Sequence, residues 1–314
     1  MTQHYRFAGV AIASEIPLPL PAAGPVEPVS LTIRRSLDPT LIAASWEHAS
    51  EVVPGDPNQG AGSMSVRLAG ADYLMQVIDA ADLRYFPVAG ELHMFAPRDQ
   101  WINTIEHVLL DQAIPRVLAY SGHLMLHASA VEVAGKALCF VGPSGAGKST
   151  LAATFSLAGY RILADDVVRI EFVDGEPWIY PAYPSLRLCL DATSIMPAEL
   201  NQRSDDMAGY SDKQVFRLWD DVPCPAGLPL GNVVLLQPAD DTHPTLTLAA
   251  PSSALIRMMG QTFSLHPGVG QVEAGRLARM SRACSASRPL ELVFRHSFGQ
   301  RSALLNMLLA RKLG

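Results

Sequence analysis

Cysteine is scarce in this chain: four in 314 residues. Cys139, Cys189, Cys224 and Cys284 lie far apart, and none forms a Cys-x-x-Cys pair, which argues against a zinc knuckle or a dithiol redox motif. Charge is also thin, at 17% of residues, and 24 basic against 30 acidic side chains leave a net −6. A general nucleic-acid binder is expected to be strongly basic, so no nucleic-acid partner is expected. Long apolar runs are missing too. The charge-free stretch from Val117 to Val131 is broken by Ser121, Gly122, His123 and His127, short of the roughly 18 residues that a membrane-spanning helix needs. No apolar core of a secretory signal follows Met1–Arg6, so a cytoplasmic chain with reduced thiols is the expectation. No internal repeat or long low-complexity tract is visible.

Apolar material is plentiful. At 49% hydrophobic residues the chain has the surface to offset the entropy of folding, which excludes disorder of the whole. Its length suggests two domains, at roughly 150 residues each. Residues 271–314 carry eight basic and two acidic side chains, a net +6, leaving −12 on the other 270. Such a tail suits either a solvated helix face or an anionic partner. A homo-oligomer stays open.

The first hundred residues read as strands and turns. Tyr5–Ile16 is β-prone and runs into a stretch holding Pro17, Pro19, Pro21, Pro25 and Pro28. Prolines at this density mark a loop or a sheet edge, never a central strand. Val29–Arg34 alternates as a half-buried strand does, and Glu51–Gly62 is a turn-rich insertion. Met64–Leu68, Tyr73–Ile78, Leu83–Val88 and Glu91–Phe95 read as short antiparallel strands, the last two joined at Ala89-Gly90. This predicts a small, mostly β N-terminal domain over residues 1–100, with no catalytic grouping in it.

Residues 101–314 open on a helical stripe of Ile102, Ile105, Val108, Leu109, Gln112 and Ala113, which Pro115 is expected to kink or end. A strand over Leu124–Val133 and a second over Lys136–Val141 surround the turn Ala134-Gly135. A helix over Ser149–Leu157 and a strand over Arg161–Ala164 follow. Strand, glycine-rich loop, helix, strand is the β-α-β order of a P-loop core, so the fold class expected is α/β. A closing strand over Leu290–Phe294 and a helix over Arg301–Lys312 complete the reading, with Leu304, Leu305, Leu308 and Leu309 as core.

Val141 precedes Gly142-Pro143-Ser144-Gly145-Ala146-Gly147-Lys148-Ser149-Thr150, a full match to GxxxxGK[ST]. The glycines let the backbone curl so that successive N–H groups surround phosphate oxygens, and the helix that follows adds its positive dipole end. Lys148 is expected at the β and γ phosphates of ATP, and the Ser149 hydroxyl on Mg²⁺. Sixteen residues after Ser149, Asp165 and Asp166 end a buried strand. Two carboxylates there suggest that one holds the metal while the other accepts a proton from an attacking hydroxyl. His127, in Leu124-Met125-Leu126-His127-Ala128-Ser129, reads by itself as a core histidine.

Taken together, Leu126-His127-Ala128-Ser129-Ala130-Val131, the loop 142–150 and Gly159-Tyr160-Arg161-Ile162-Leu163-Ala164-Asp165-Asp166 resemble the catalytic core of the HPr kinase/phosphorylase family. The likeness is greatest to its short members found beside peptide-modification genes, including lasso-peptide clusters. Ser14-Glu15-Ile16-Pro17-Leu18-Pro19 is similar to their N-terminal phrase. A weaker likeness runs through Tyr183-Pro184-Ser185-Leu186-Arg187-Leu188 and Asp212-Lys213-Gln214-Val215. The resemblance implies an HPr-kinase-like P-loop domain in which the histidine contacts the catalytic aspartate. Carried over, catalytic roles fall on Asp165, His127 and Lys148, and metal binding on Ser149 and Asp166, although the two carboxylates remain interchangeable at this point. The implied activity is ATP-dependent phosphorylation of a serine on a small protein or peptide, such as a lasso-peptide precursor.

One departure narrows this. No Glu-Arg-Gly run lies between residues 170 and 230, so phosphorolysis and HPr as target are not carried over. A nucleotide-binding regulatory or interaction protein without phosphotransfer is the alternative, and an NTPase coupling hydrolysis to motion a weaker third. Arg187, Lys213 and Arg217 are further candidates for phosphate or substrate contact, each equally a solvated or strand residue. His266-Pro267-Gly268 reads as a turn.

Overall fold

The computed structural model describes residues 2–24, 27–36, 38, 45–55, 63–96, 102–183, 185–197, 205–206, 213–217, 227–240, 243–268, 270–295 and 297–311. The fold is mixed α/β with two large sheets, and the chain divides into two compact units. The expected turn at Glu51–Gly62 and the end of the helix at Lys312 lie partly outside the described residues.

The first unit comprises residues 1–121 with 206–212 and 264–269. Its eight strands are β1 (Gln3–Phe7), β2 (Val10–Ser14), β3 (Leu31–Ser36), β4 (Ser50–Val53), β5 (Met64–Ala69), β6 (Asp72–Val77), β7 (Ala81–Phe86) and β8 (Glu91–Phe95), in the order β1-β2-β3-β8-β7-β6-β5-β4. Burial alternates along β7 and β8, with Leu83, Tyr85, Leu92 and Met94 inward, so one face carries the core. All-antiparallel pairing does not hold throughout: β3 runs parallel to both β2 and β8. The long proline-rich connection between β2 and β3 permits this, since parallel neighbours need a crossover rather than a hairpin. That connection lies along the outer edge of β1, where Arg6 N–H donates to the Pro21 carbonyl at 2.8 Å and Tyr5 bridges Ala22. Pro21 and Ala22 therefore cover a sheet edge.

The helical stripe continues through Pro115 instead of ending there. Helix α1 (Ile102–His107) widens into a π stretch (Val108–Ala113) and resumes as α2 (Ile114–Tyr120), with Pro115 in the first turn of α2. Proline lacks the N–H that a regular turn would use and its ring presses on the preceding turn; the wider π turn takes up both. This segment groups with the first unit, whose main division falls after Ser121.

The second unit comprises residues 122–205, 213–263 and 270–314. Its strands are β9 (Leu124–Leu126), β10 (Ala128–Val133), β11 (Lys136–Val141), β12 (Ile162–Ala164), β13 (Val168–Val173), β14 (Glu176–Pro181), β15 (Ser185–Cys189), β16 (Asp205–Asp206), β17 (Lys213–Arg217), β18 (Leu228–Pro238), β19 (Thr245–Leu248) and β20 (Leu290–Phe294). Its helices are α3 (Lys148–Leu157), α4 (Leu190–Thr193), α5 (Pro251–Met259), α6 (Gly270–Ser287) and α7 (Arg301–Ala310). The large sheet runs β12-β10-β11-β18-β14-β13-β9, with β20 on β18 and β19 on β20. β11, β18 and β20 are parallel neighbours. β15 pairs antiparallel with β17 in a smaller sheet.

Alternation on β11 divides the core between two faces. Leu138 and Phe140 pack with Leu151 and Phe155 of α3 and Leu304 and Leu308 of α7. Ala137, Cys139 and Val141 pack with Ala254 and Met258 of α5 and Met280 and Ala283 of α6. A sheet covered on both faces needs such strands, apolar at every position rather than every second one. The single strand expected over Leu124–Val133 is two: β9 pairs with β13, β10 with β11 and β12, and the chain changes neighbours at His127. Among the described residues no helix is long and apolar enough to cross a membrane.

Candidate active site

Buried Val141 ends β11, and the chain turns through Gly142–Gly147 into α3. A Cβ at Gly142 would lie 3.1 Å from the Ala146 Cβ and 3.3 Å from Leu236, so a side chain there would press on both. Gly145 and Gly147 adopt φ of 77° and 91°, the left-handed region that glycine enters without penalty. Gly147 caps α3 with no side-chain hydrogen bond, so the helix opens on backbone N–H groups. Pro143, Ser144 and Gly145 carry the outer part of the turn, and Ala146 is buried beneath it.

Lys148, the first residue of α3, folds back over the loop, its Nζ donating to the carbonyls of Gly142 at 2.9 Å and Pro143 at 3.1 Å. Burial lowers its pKa, against the pull of Asp166 and Asp165. Ser149 points to the end of β12, where its Oγ donates to Asp165 Oδ1 at 3.0 Å. Ser129, on β10, donates to the same oxygen at 2.5 Å, and the Arg187 N–H donates to Oδ2 at 2.9 Å. Asp165 is 1% exposed, and burial, reinforced by neighbouring Asp166, pushes its carboxyl up to about 6.

Asp166 faces the other way. Its Oδ1 lies 3.3 Å from His127 Nε2 and its Oδ2 accepts from Arg187 at 3.4 Å. Its φ of 67° is a conformation that aspartate tolerates better than most residues, and it lets adjacent carboxylates diverge from one strand end. Burial would raise its pKa, yet the His127 hydrogen bond and the charges of Lys213, His127 and Lys148 hold it below the usual carboxylate range. His127 is placed by its position between β9 and β10: its N–H donates to the Gln261 carbonyl at 2.7 Å, and its ring stacks on Phe263 with centroids 6.1 Å apart. Arg187 is buried, bonded to the Tyr183 hydroxyl and lying over that ring.

The fold thus brings together Lys148, Ser149, Asp165, Asp166 and His127, and adds Arg187. Lys213 lies on β17 opposite Cys189, two positions along from the Arg187–Val215 pair, and its charge reaches both carboxylates. Thr150 lines a small pocket with Thr154, Phe294 and Leu304. The side chain of Arg217 lies outside the described residues. His266 is elsewhere, hydrogen-bonded to Tyr73 in the first unit at 2.8 Å. Sequence reasoning missed Ser129, Tyr183 and Phe263. Ser129 had a signal: two residues from His127 in an extended run, it shares a side with it. Tyr183 stood in the run 183–188 that carries the weaker likeness, without a role assigned to it, and Phe263 had no signal.

The donor set of one serine hydroxyl and an adjacent carboxylate suits a hard cation that takes its remaining ligands from phosphate and water. Among the described residues no three His, Cys, Asp or Glu side chains group as a closed metal cage.

No protein-family model matches the chain, and no curated protein matches it. Among solved structures, the Hpr(Ser) kinase/phosphatase from Coxiella burnetii is similar at 11% identity and a TM-score of 0.30, over 60% of this chain and 96% of that one.

Proposed function

We propose that this chain is an ATP-dependent kinase that transfers a phosphoryl group to a serine hydroxyl of a small protein or peptide, with a lasso-peptide precursor as the substrate class to test first. The observation that carries the reading is the division of labour between adjacent carboxylates: Asp165 on the loop's Ser149, Asp166 on His127 and Arg187. A carboxylate next to the loop serine is where a metal ligand belongs, which leaves the second carboxylate, kept ionised beside His127, to accept the proton. The geometry therefore favours Asp165 with Ser149 at the metal and Asp166 as the base, the reverse of the assignment carried over from sequence.

The residues present fit ATP with Mg²⁺. Lys148 has its ammonium on the loop carbonyls, ready to exchange them for phosphate oxygens, and the glycines of 142–147 leave room for the backbone to close around an anion. Bound ATP with Mg²⁺ supplies the γ-phosphoryl group and neutralises its charge. The chain does the rest. Asp166 takes the proton of the serine hydroxyl as its oxygen attacks. His127 orients the Asp166 carboxylate and keeps it ionised. Arg187 and Lys213 offset the negative charge that two carboxylates and a triphosphate would otherwise concentrate in one buried place.

Incubation with γ-labelled ATP and a precursor peptide ending in serine tests the reading. Label should appear on the peptide, and Asp166→Asn should slow its appearance by roughly 10²–10⁴. An intact enzyme that only hydrolyses ATP removes the kinase assignment, while ATP-dependent capture of a partner without turnover favours the regulatory alternative.

A further inference from the structure

Most of the basic side chains near the C-terminus are engaged within the chain. Arg276 pairs with Glu273, Arg279 with Glu171 and the Gly122 carbonyl, and the Arg282 guanidinium lies 4.2 Å from the centre of the Phe172 ring. Arg311 donates to the Leu246 carbonyl at 3.0 Å, and Arg295 and Arg301 have partners as well. Arg288 differs. It is exposed, and among the described residues it makes no side-chain hydrogen bond, ion pair or ring contact. Its φ of 43° turns the chain from α6 into β20.

Arg288 lines a cavity of about 690 Å³ between the start of α5 and the end of α6. Leu248, Leu255 and Pro289 give the walls an apolar character, Ser281 adds a hydroxyl, and Cys284 lines it from α6. Among the described residues Arg288 is the only charged one of the lining. Leu248 stays 64% exposed, apolar surface that a ligand would remove from water. The volume lies in the range of pockets that enclose small organic molecules. This cavity borders α5 and α6, on the face of the sheet opposite α3, so it is separate from the site around Lys148.

We propose that this cavity binds a small amphipathic anion, an apolar chain ending in a carboxylate, with the chain against Leu248, Leu255 and Pro289 and the head on Arg288. A planar guanidinium with no internal partner matches a carboxylate by paired hydrogen bonds, and nothing in the lining repels one.

Decanoate, decanol and acetate are the probes, titrated calorimetrically into the full chain below micellar concentration. Decanoate should bind with one equivalent and acetate should not. Arg288→Gln should weaken decanoate about fivefold while leaving decanol unchanged. Ser281→Trp, which puts a bulky ring into the cavity beside Arg288, should weaken binding of both. A second readout needs no variant: decanoate should slow alkylation of Cys284, which is 5% exposed, and leave that of exposed Cys189 unchanged. Absence of decanoate binding, equal binding by the parent and both variants, or Cys284 alkylation that decanoate does not slow overturns the proposal.

Discussion

At the residue scale, the proposed assignment would separate proton transfer from metal binding by a single peptide unit. Asp166→Asn keeps the size and most of the hydrogen bonding of the side chain but removes its basicity, so kcat should fall by roughly 10²–10⁴ with little change in nucleotide affinity. Asp165→Asn should instead raise the Mg²⁺ concentration needed for half-maximal activity, since Ser149 loses its anionic partner. Metal titrations of the two variants read this directly; a larger metal effect at Asp166 would restore the sequence-based order. Lys148→Ala should remove nearly all transfer, as loss of a point charge on the phosphates does, while the melting temperature stays close to the parent's. An active Lys148→Ala protein with an unchanged melt would contradict the phosphate role of the loop. The turn of this loop from β11 into α3 was legible because its requirement is local: glycines where the backbone enters the left-handed region, directly before a helix. The contacts of Arg187 with Asp165 and Asp166, 22 and 21 residues away, belong to the pairing of β15 with β17, which no local pattern records.

At the element scale, α3 is held to the sheet by Phe155, fully buried with ring centres 5.5 Å from both Phe140 and Tyr160. Phe155→Ala should cost about 3–5 kcal/mol in chemical denaturation, because a rigid strand–helix layer collapses poorly into the vacated space. At the start of β9 a different force acts. Arg169 lies 3.3 Å from His123 Nδ1 and, always a donor, requires that nitrogen to be unprotonated. Burial and then the Arg169 charge hold the His123 pKa below its ordinary 6.5. The unfolded chain therefore takes up a proton that the folded chain refuses, and stability should decline as pH falls from about 6.5 toward the lowered value. His123→Gln should flatten that slope in denaturant titrations at several pH values; an unchanged slope would place its origin elsewhere. Elements with strict alternation and a glycine turn, β7 and β8, were readable from sequence. The π stretch at Val108–Ala113 and the break at His127 were not, since both are answers to packing: one to a proline ring, the other to strands that leave for different neighbours.

At the scale of the whole molecule, the chain passes between its units more than once. Residues 206–212 and 264–269 belong with the first 121, although both lie far along the second half of the sequence. Cutting after Ser121 would part Tyr73 from His266, and the fragment from Gly122 onward would carry two segments whose unit is missing. Calorimetry of the full chain should therefore show one cooperative transition; two well-separated transitions would show that the returning segments add no coupling. Length suggests how many domains to expect, whereas this interleaving depends on contacts between residues some two hundred positions apart. It also bears on how such a protein can change through gene rearrangement. No single crossover point exchanges one unit for a foreign counterpart and leaves the other whole, so recombination would tend to transmit the β-rich unit and the unit holding Lys148 as one heritable block. Divergence in either would then have to proceed by substitution, under selection exerted by the other.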